Sequence, residues 1–185
     1  MKITPTKIAG VMLAETERFD DERGTFMRIY CNETLNTAGL SHHAPMQINF
    51  SVTHKRGALR GMHYQTEKGL EGKIVRCLHG RILDVIVDVR KGSPTFLQHV
   101  AVQLSDDNMA VIIPPGCAHG FQLLTDKCEM VYTHSSIYAP DHQAGIRYDD
   151  PRLGIKWPMP VTVISERDST LPLLSADFQG VGNAL

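Results

Sequence analysis

Short runs rich in Val, Ile, Phe and Tyr recur along the chain between Gly, Pro, Asn and Asp, and helix-period patterning is scarce. That spacing predicts antiparallel strands. In the clearest run, RILDVIVDVR, Leu83, Val85, Val87 and Val89 take one face, and Ile82, Asp84, Ile86 and Asp88 take the other. Further strands are expected in MQINFSV, GKIVRCLH, FLQHVAVQL, AVIIPP, HGFQLL and CEMVYTHSS, and the glycine of CLHGRIL joins two of them as a hairpin turn. One early helix is expected, in NETLNTAGL, capped by Asn32 and ended by Gly39. After Tyr138 the stretch YAPDHQAGIRYDDPRLGIKWP is dense in Pro, Gly and Asp, and reads as a loop region folded back on the strands. The pattern favours an all-β closed or double-sheet barrel, which leaves few strand edges unpaired. The expected unit is a single domain over residues 1–185, its barrel core at about 45–135, with N-terminal strands and a C-terminal loop and helix region packed on it.

Composition narrows the function. Of 185 residues, 42% are hydrophobic and 21% charged, and the formal net charge is -1, so no polyanion-binding surface and no nucleic acid partner are expected. The four cysteines form no C-x-x-C pair, the N-terminus carries no leader pattern, and no apolar run approaches the roughly 18 residues of a membrane span. Reduced thiols, a cytoplasmic location and no membrane contact are the expectation.

A small barrel fills its interior with apolar side chains, so ionisable residues on inward faces imply a solvated cavity. Arg60, His63, Lys73, Asp84, His119, Tyr132 and His134 are candidates for one. Each alone reads first as an ordinary surface or loop residue, and only their joint distribution over several strands points to a site. PPGCAH has the form of the second half of a cupin metal motif, whose first half requires a His-x-His pair. Here position 61, two before His63, is glycine, so the ligand set is thin and no metal is expected.

The segments FDDERGTF, QINFSVTHKRGALRGMHYQ, GKIVRCLHGRILDVIVDVRKGSPTF, IPPGCAHGF, YAPDHQAGIRYDDPRLGIKWP and ISERDSTLPLL together resemble the dTDP-4-dehydrorhamnose 3,5-epimerases, a metal-free branch of the cupin-like barrels. The resemblance implies a jelly-roll barrel, a homodimer exchanging N-terminal strands, and a nucleotide-diphosphate sugar as substrate. It implies no cofactor, because inversion beside a ketone needs only a base, an enolate stabiliser and an acid on the opposite face. By the same resemblance His63 is the base and Asp168 its partner, the carboxylate accepting the Nδ1 proton and leaving Nε2 free. Asp84 remains an alternative partner. Tyr132 matches the acid and Lys73 the cation beside the enolate. Arg23 and Arg60 match phosphate-binding arginines, Gln47, Asn49 and His119 polar contacts to substrate, and Phe26 and Tyr138 aromatics near base and sugar.

One departure stands out. After RGTF the family pattern runs to a glutamate, whereas this chain has Arg28. An arginine only donates, which suits the N3 acceptor of cytosine better than the N3-H of thymine. Inversion of both C3 and C5 of a dTDP-linked 4-keto-6-deoxyhexose is the expectation. The alternatives are a single-centre epimerase, an epimerase of a CDP-linked sugar, a related ketoisomerase, a catalytically idle nucleotide-sugar binder and a metal-dependent cupin oxygenase.

Overall fold

The computed structural model describes residues 1–106 and 108–183. Residues 107, 184 and 185 of the expected single unit lie outside the described residues. Strands in chain order are β1 (Lys2–Pro5), β2 (Met12–Glu15), β3 (Arg18–Asp21), β4 (Gly24–Met27), β5 (Gln47–His54), β6 (Leu59–Gln65), β7 (Lys73–His79), β8 (Arg81–Asp88), β9 (Arg90–Lys91), β10 (His99–Ser105), β11 (Met109–Ile113), β12 (Cys117–Leu123), β13 (Lys127–His134), β14 (Gln143–Gly145) and β15 (Val181–Asn183). The helices are α1 (Asn32–Thr37) and α2 (Glu166–Ser169). A six-stranded sheet runs β1-β2-β11-β7-β13-β5, and a five-stranded sheet runs β10-β8-β12-β6-β14. Facing each other with crossed connections, they form the expected all-β jelly roll.

Alternation along the strands assigns the layers. Ile82 and Ile86 point inward and pack with Val75, Cys77, Phe121 and Met130 in the barrel interior. Val85, Val87 and Val89, one residue out of phase, point outward. They stay dry because the Pro- and Gly-rich C-terminal stretch folds back over them, laying Ile146, Leu153, Trp157 and Phe178 on the outer face. The strand therefore carries Ile or Val on both of its buried faces, as a doubly covered strand does, and Asp84 and Asp88 are the polar residues of the inward one. Trp157 satisfies its indole N–H by donating to the Tyr148 carbonyl at 2.9 Å.

The outer face of the six-stranded sheet is covered by α1, whose Leu35, with Leu40 beyond it, packs on Ala14, Ile74, Ala110 and Ile112. A helix of six residues has too few internal bonds to stand alone. Burial of Leu35, worth about 1.5–3 kcal/mol, holds it in place. Its start differs from expectation: Cys31 occupies the cap position with no side-chain cap bond, and Asn32 is already helical. Its end agrees, since Gly39 at φ +74° lets the Leu40 N–H return to the Leu35 carbonyl at 2.8 Å.

Candidate active site

The inward face of the six-stranded sheet changes character along its length. Cys77, Val75, Cys128 and Met130 close the barrel at one end. Further along the same strands stand Lys73, Tyr132 and His134, with Asn49 and Ser51 on β5, around a cavity of about 490 Å³. The five-stranded sheet contributes Arg60, His63 and His119 to that cavity, and α2 contributes Asp168.

Arg60 and His63 are three residues apart, a spacing that strict alternation would send to opposite faces. A register shift resolves this: His119 pairs with His63 but Phe121 pairs with Arg60, so β6 carries one more residue than β12 over that interval. At the shift Gly61 has φ +125°, and a Cβ there would lie 2.5 Å from the Gly120 Cα. This explains why the position two before His63 cannot carry the second histidine of a cupin metal motif. Among the described residues no group of three or more His, Cys, Asp or Glu side chains is gathered to hold a metal ion.

His63 Nε2 lies 2.7 Å from Asp168 Oδ1, and the Gly61 N–H donates to Asp168 Oδ2 at 3.0 Å. Asp168 is set by its own helix, where Ser165 at the cap accepts the Asp168 N–H at 3.0 Å. The helix is tied beside β6 by the Leu59 N–H bonding the Val163 carbonyl. Burial alone would raise the Asp168 pKa, but the bonds from His63, Gly61 and Ser165 outweigh it and hold the carboxyl below its ordinary range. An ionised carboxylate only accepts, so Nε2 carries a proton and Nδ1 is left to take one. This corrects the expected orientation, which had Nδ1 on the carboxylate. Asp84 is not the partner of His63, because its Oδ1 lies 2.6 Å from His119 Nε2 instead.

Tyr132 comes from the opposite sheet. Its hydroxyl lies 3.1 Å from Ser51 Oγ. Burial is the main cause that raises its pKa, and the Asp84 charge adds to it, while the Ser51 bond and the Arg60 charge work the other way. The phenol therefore holds its proton at neutral pH. Arg60 is the cation that eases its ionisation, and its Nε is steadied by Thr53 Oγ1 at 3.0 Å.

Not every expected residue reaches the cavity. His119, Asn49 and Tyr138 line it, and Gln47 stands behind, donating to Asn49 Oδ1 at 3.0 Å and accepting the Tyr138 N–H at 3.2 Å. Arg23 and Phe26 do not: they sit on the exposed β3–β4 hairpin, where Arg23 pairs with Asp21 at 2.5 Å and Phe26 is 70% exposed. Arg28 lines a separate recess with Phe19 and Phe26. Glu71, Gln143 and Arg167 line the cavity but escaped the sequence reading. For Glu71 a signal existed, since Glu71 and Lys73 are two apart on extended chain and share a face.

A jelly roll whose interior joins a carboxylate-held imidazole from one sheet to a proton-bearing phenol from the other belongs to the class of acid–base barrels, built to move protons at a bound carbon. Residues 5–176 match the family model for dTDP-4-dehydrorhamnose 3,5-epimerase, and the chain belongs to that family. It is 40% identical to the dTDP-4-dehydrorhamnose 3,5-epimerase of Shigella flexneri over 91% of this chain and 93% of that protein. Among solved structures, it matches a dTDP-6-deoxy-D-glucose-3,5-epimerase from Legionella pneumophila in complex with dTDP-4-keto-L-rhamnose, at TM-score 0.90 and 35% identity over 99% of both chains. It also matches a 3'-monoepimerase from Streptomyces bikiniensis in complex with dTDP-quinovose, at TM-score 0.84 and 37% identity over 91% of this chain and 86% of that one.

Proposed function

We propose that this protein inverts C3 and C5 of a dTDP-linked 4-keto-6-deoxyhexose. One observation carries the reading: a His63–Asp168 dyad and a protonated Tyr132 enter one cavity from opposing sheets. His63 Nδ1 takes the proton from the carbon beside the ketone, and the electron pair of that C–H bond moves into the carbonyl to give an enolate. Asp168 stabilises the imidazolium formed. Lys73 offsets the charge developing on the enolate oxygen. The enolate then collapses as the carbon takes the Tyr132 proton on its other face, inverting the centre, and solvent resets both groups.

Arg60 binds the diphosphate, and Arg167 on the cavity wall is placed to assist. Arg23 and Phe26, remote from their own cavity, serve the site of a second copy in a homodimer that exchanges its β3–β4 hairpins. Lys73, Asn49, His119 and Tyr138 complete the set of substrate contacts, with Gln47 fixing two of them.

A second reading, inversion at one carbon only, is favoured by the likeness to the Streptomyces 3'-monoepimerase. Incubation with dTDP-linked and CDP-linked 4-keto-6-deoxyhexoses in heavy water, with NMR of the product, tests both. Label and inversion at C3 and C5 of the dTDP sugar are expected. Label at one carbon supports the second reading, preference for the CDP sugar overturns the base assignment, and no label overturns the enzyme. Tyr132→Phe should still exchange label at carbon while inversion falls by about 100-fold or more.

A further inference from the structure

The cavity holds a third imidazole–carboxylate pair that the epimerisation steps above do not use. Glu71 and His134 both line it, with Glu71 Oε2 2.9 Å from His134 Nδ1 and Glu71 Oε1 3.3 Å from Lys73 Nζ. Lys73 and His134 are cross-strand partners on β7 and β13, so their side chains share the inward face. The Glu71 side chain is only 6% exposed and bridges the two.

The bonds around this pair have one consistent direction. A carboxylate can only accept, so His134 Nδ1 carries the proton. Its Nε2 is then an acceptor and takes the Asn49 Nδ2–H at 3.2 Å. Asn49 Oδ1 accepts from Gln47 Nε2, and Gln47 Oε1 accepts the Tyr138 N–H. A single donor-to-acceptor chain therefore runs from the backbone of exposed Tyr138 through Gln47, Asn49, His134 and Glu71, where it meets Lys73. If Asn49 turned over, it would lose the Gln47 bond, so its amide keeps the Nδ2–H on His134.

We propose that Glu71 and His134 are positioning residues for Lys73: His134 aims the Glu71 carboxylate, and Glu71 holds the Lys73 ammonium charged and pointed into the cavity. The proposal rests on the epimerase reading for its catalytic consequence, though not for the state of Lys73. Burial opposes ionisation of Glu71, but the His134 bond and the Lys73 charge prevail and lower its pKa. The other titratable groups around Lys73 do not replace this carboxylate. Tyr132 on β13 is protonated, and the Cys117 thiol on β12, pushed up to about 12 by burial, is neutral. Across the cavity, Asp168 is bonded to His63, Asp84 is bonded to His119 through Oδ1 while its Oδ2 is buried without a partner, and Arg60 and Arg167 are cations.

The test uses Glu71→Gln, His134→Leu and His134→Asn in the full chain. The asparagine amide can stand where Nδ1–H stood and donate to Glu71, whereas leucine cannot. Glu71→Gln should lower kcat by up to about 100-fold with little change in KM, and move the basic limb of the kcat profile to lower pH. At pH 8 its Lys73 should be acylated severalfold faster by acetic anhydride, read by peptide mass spectrometry. His134→Leu should follow it in direction, and His134→Asn should stay near the parent in all three readouts. Parent-like profiles and acylation in both Glu71→Gln and His134→Leu would overturn the proposal; if Glu71→Gln does not fold, the two His134 variants decide between them. If the parent protein exchanges no deuterium from heavy water, the epimerase reading fails, and Lys73 acylation still decides this one.

Discussion

At the scale of single residues, the site works by assigning each ionisable group one protonation state. Asp168 accepts from both His63 and Gly61. Asp168→Asn offers one oxygen for these two donors, so either the ring loses its anchor or the Gly61 N–H faces an amide N–H. Loss of the charge that stabilises the imidazolium should lower kcat by about 10³- to 10⁴-fold, measured as deuterium wash-in, and a loss below tenfold would refute the dyad. The same carboxyl has a pH signature. Its pKa in the fold is held below the ordinary 3.8, so its contribution to stability is complete above that value and is lost as pH falls through the lowered one. Urea unfolding at a series of pH values should accordingly find the parent more stable than Asp168→Asn at pH 6, with the gap narrowing below about pH 4.

At the scale of elements, the meeting of β6 and β12 decides whether these residues face one another at all. Gly61 permits the close crossing: an added Cβ would sit 2.5 Å from the Gly120 Cα and 2.9 Å from the His119 carbonyl oxygen, both backbone atoms without freedom to yield. Gly61→Ala should cost about 1–3 kcal/mol from overpacking in urea unfolding, with a loss of exchange activity that persists where the variant is fully folded. Parent-like activity would mean that the register shift is not what aligns Arg60 with His63. The sequence carried the long strands β5, β7, β8 and β10 to β13, because runs rich in Val, Ile, Phe and Tyr between turn residues mark them, but the expected hairpin at Gly80 does not form: β7 and β8 lie in different sheets, and the turn crosses from one to the other. The sequence could not carry the register shift, since one extra residue on a strand leaves no mark on composition and strict alternation parts Arg60 from His63. It missed Glu71 because that residue precedes its strand, and it inverted the His63 ring because the tautomer follows from where a distant helix turn, Glu166–Ser169, brings its carboxylate.

At the scale of the whole molecule, the apolar surface is distributed as an unfinished assembly would have it. The outer face of the edge strand β5 exposes Ile48 (64%) and Phe50 (60%), and the β3–β4 hairpin exposes Phe19 and Phe26. An edge strand with an apolar face is a pairing liability unless something covers it, and the hairpin carries Arg23 and Phe26 away from their own cavity. If exchange of that hairpin completes the site, two defects on different chains can rescue each other. Arg23→Ala should lower kcat/KM by about 10- to 100-fold, as loss of a charge-assisted phosphate contact does, and His63→Asn should abolish activity. When the two variants are unfolded together and refolded as a 1:1 mixture, half the dimers are mixed. In each mixed dimer one cavity has an intact His63 and receives an intact Arg23 from its neighbour. About a quarter of all sites should then be competent, so the mixture recovers well above either variant alone. No recovery, or full activity in Arg23→Ala by itself, would mean that the hairpin serves its own chain or none, and that the exposed aromatics answer to a different contact.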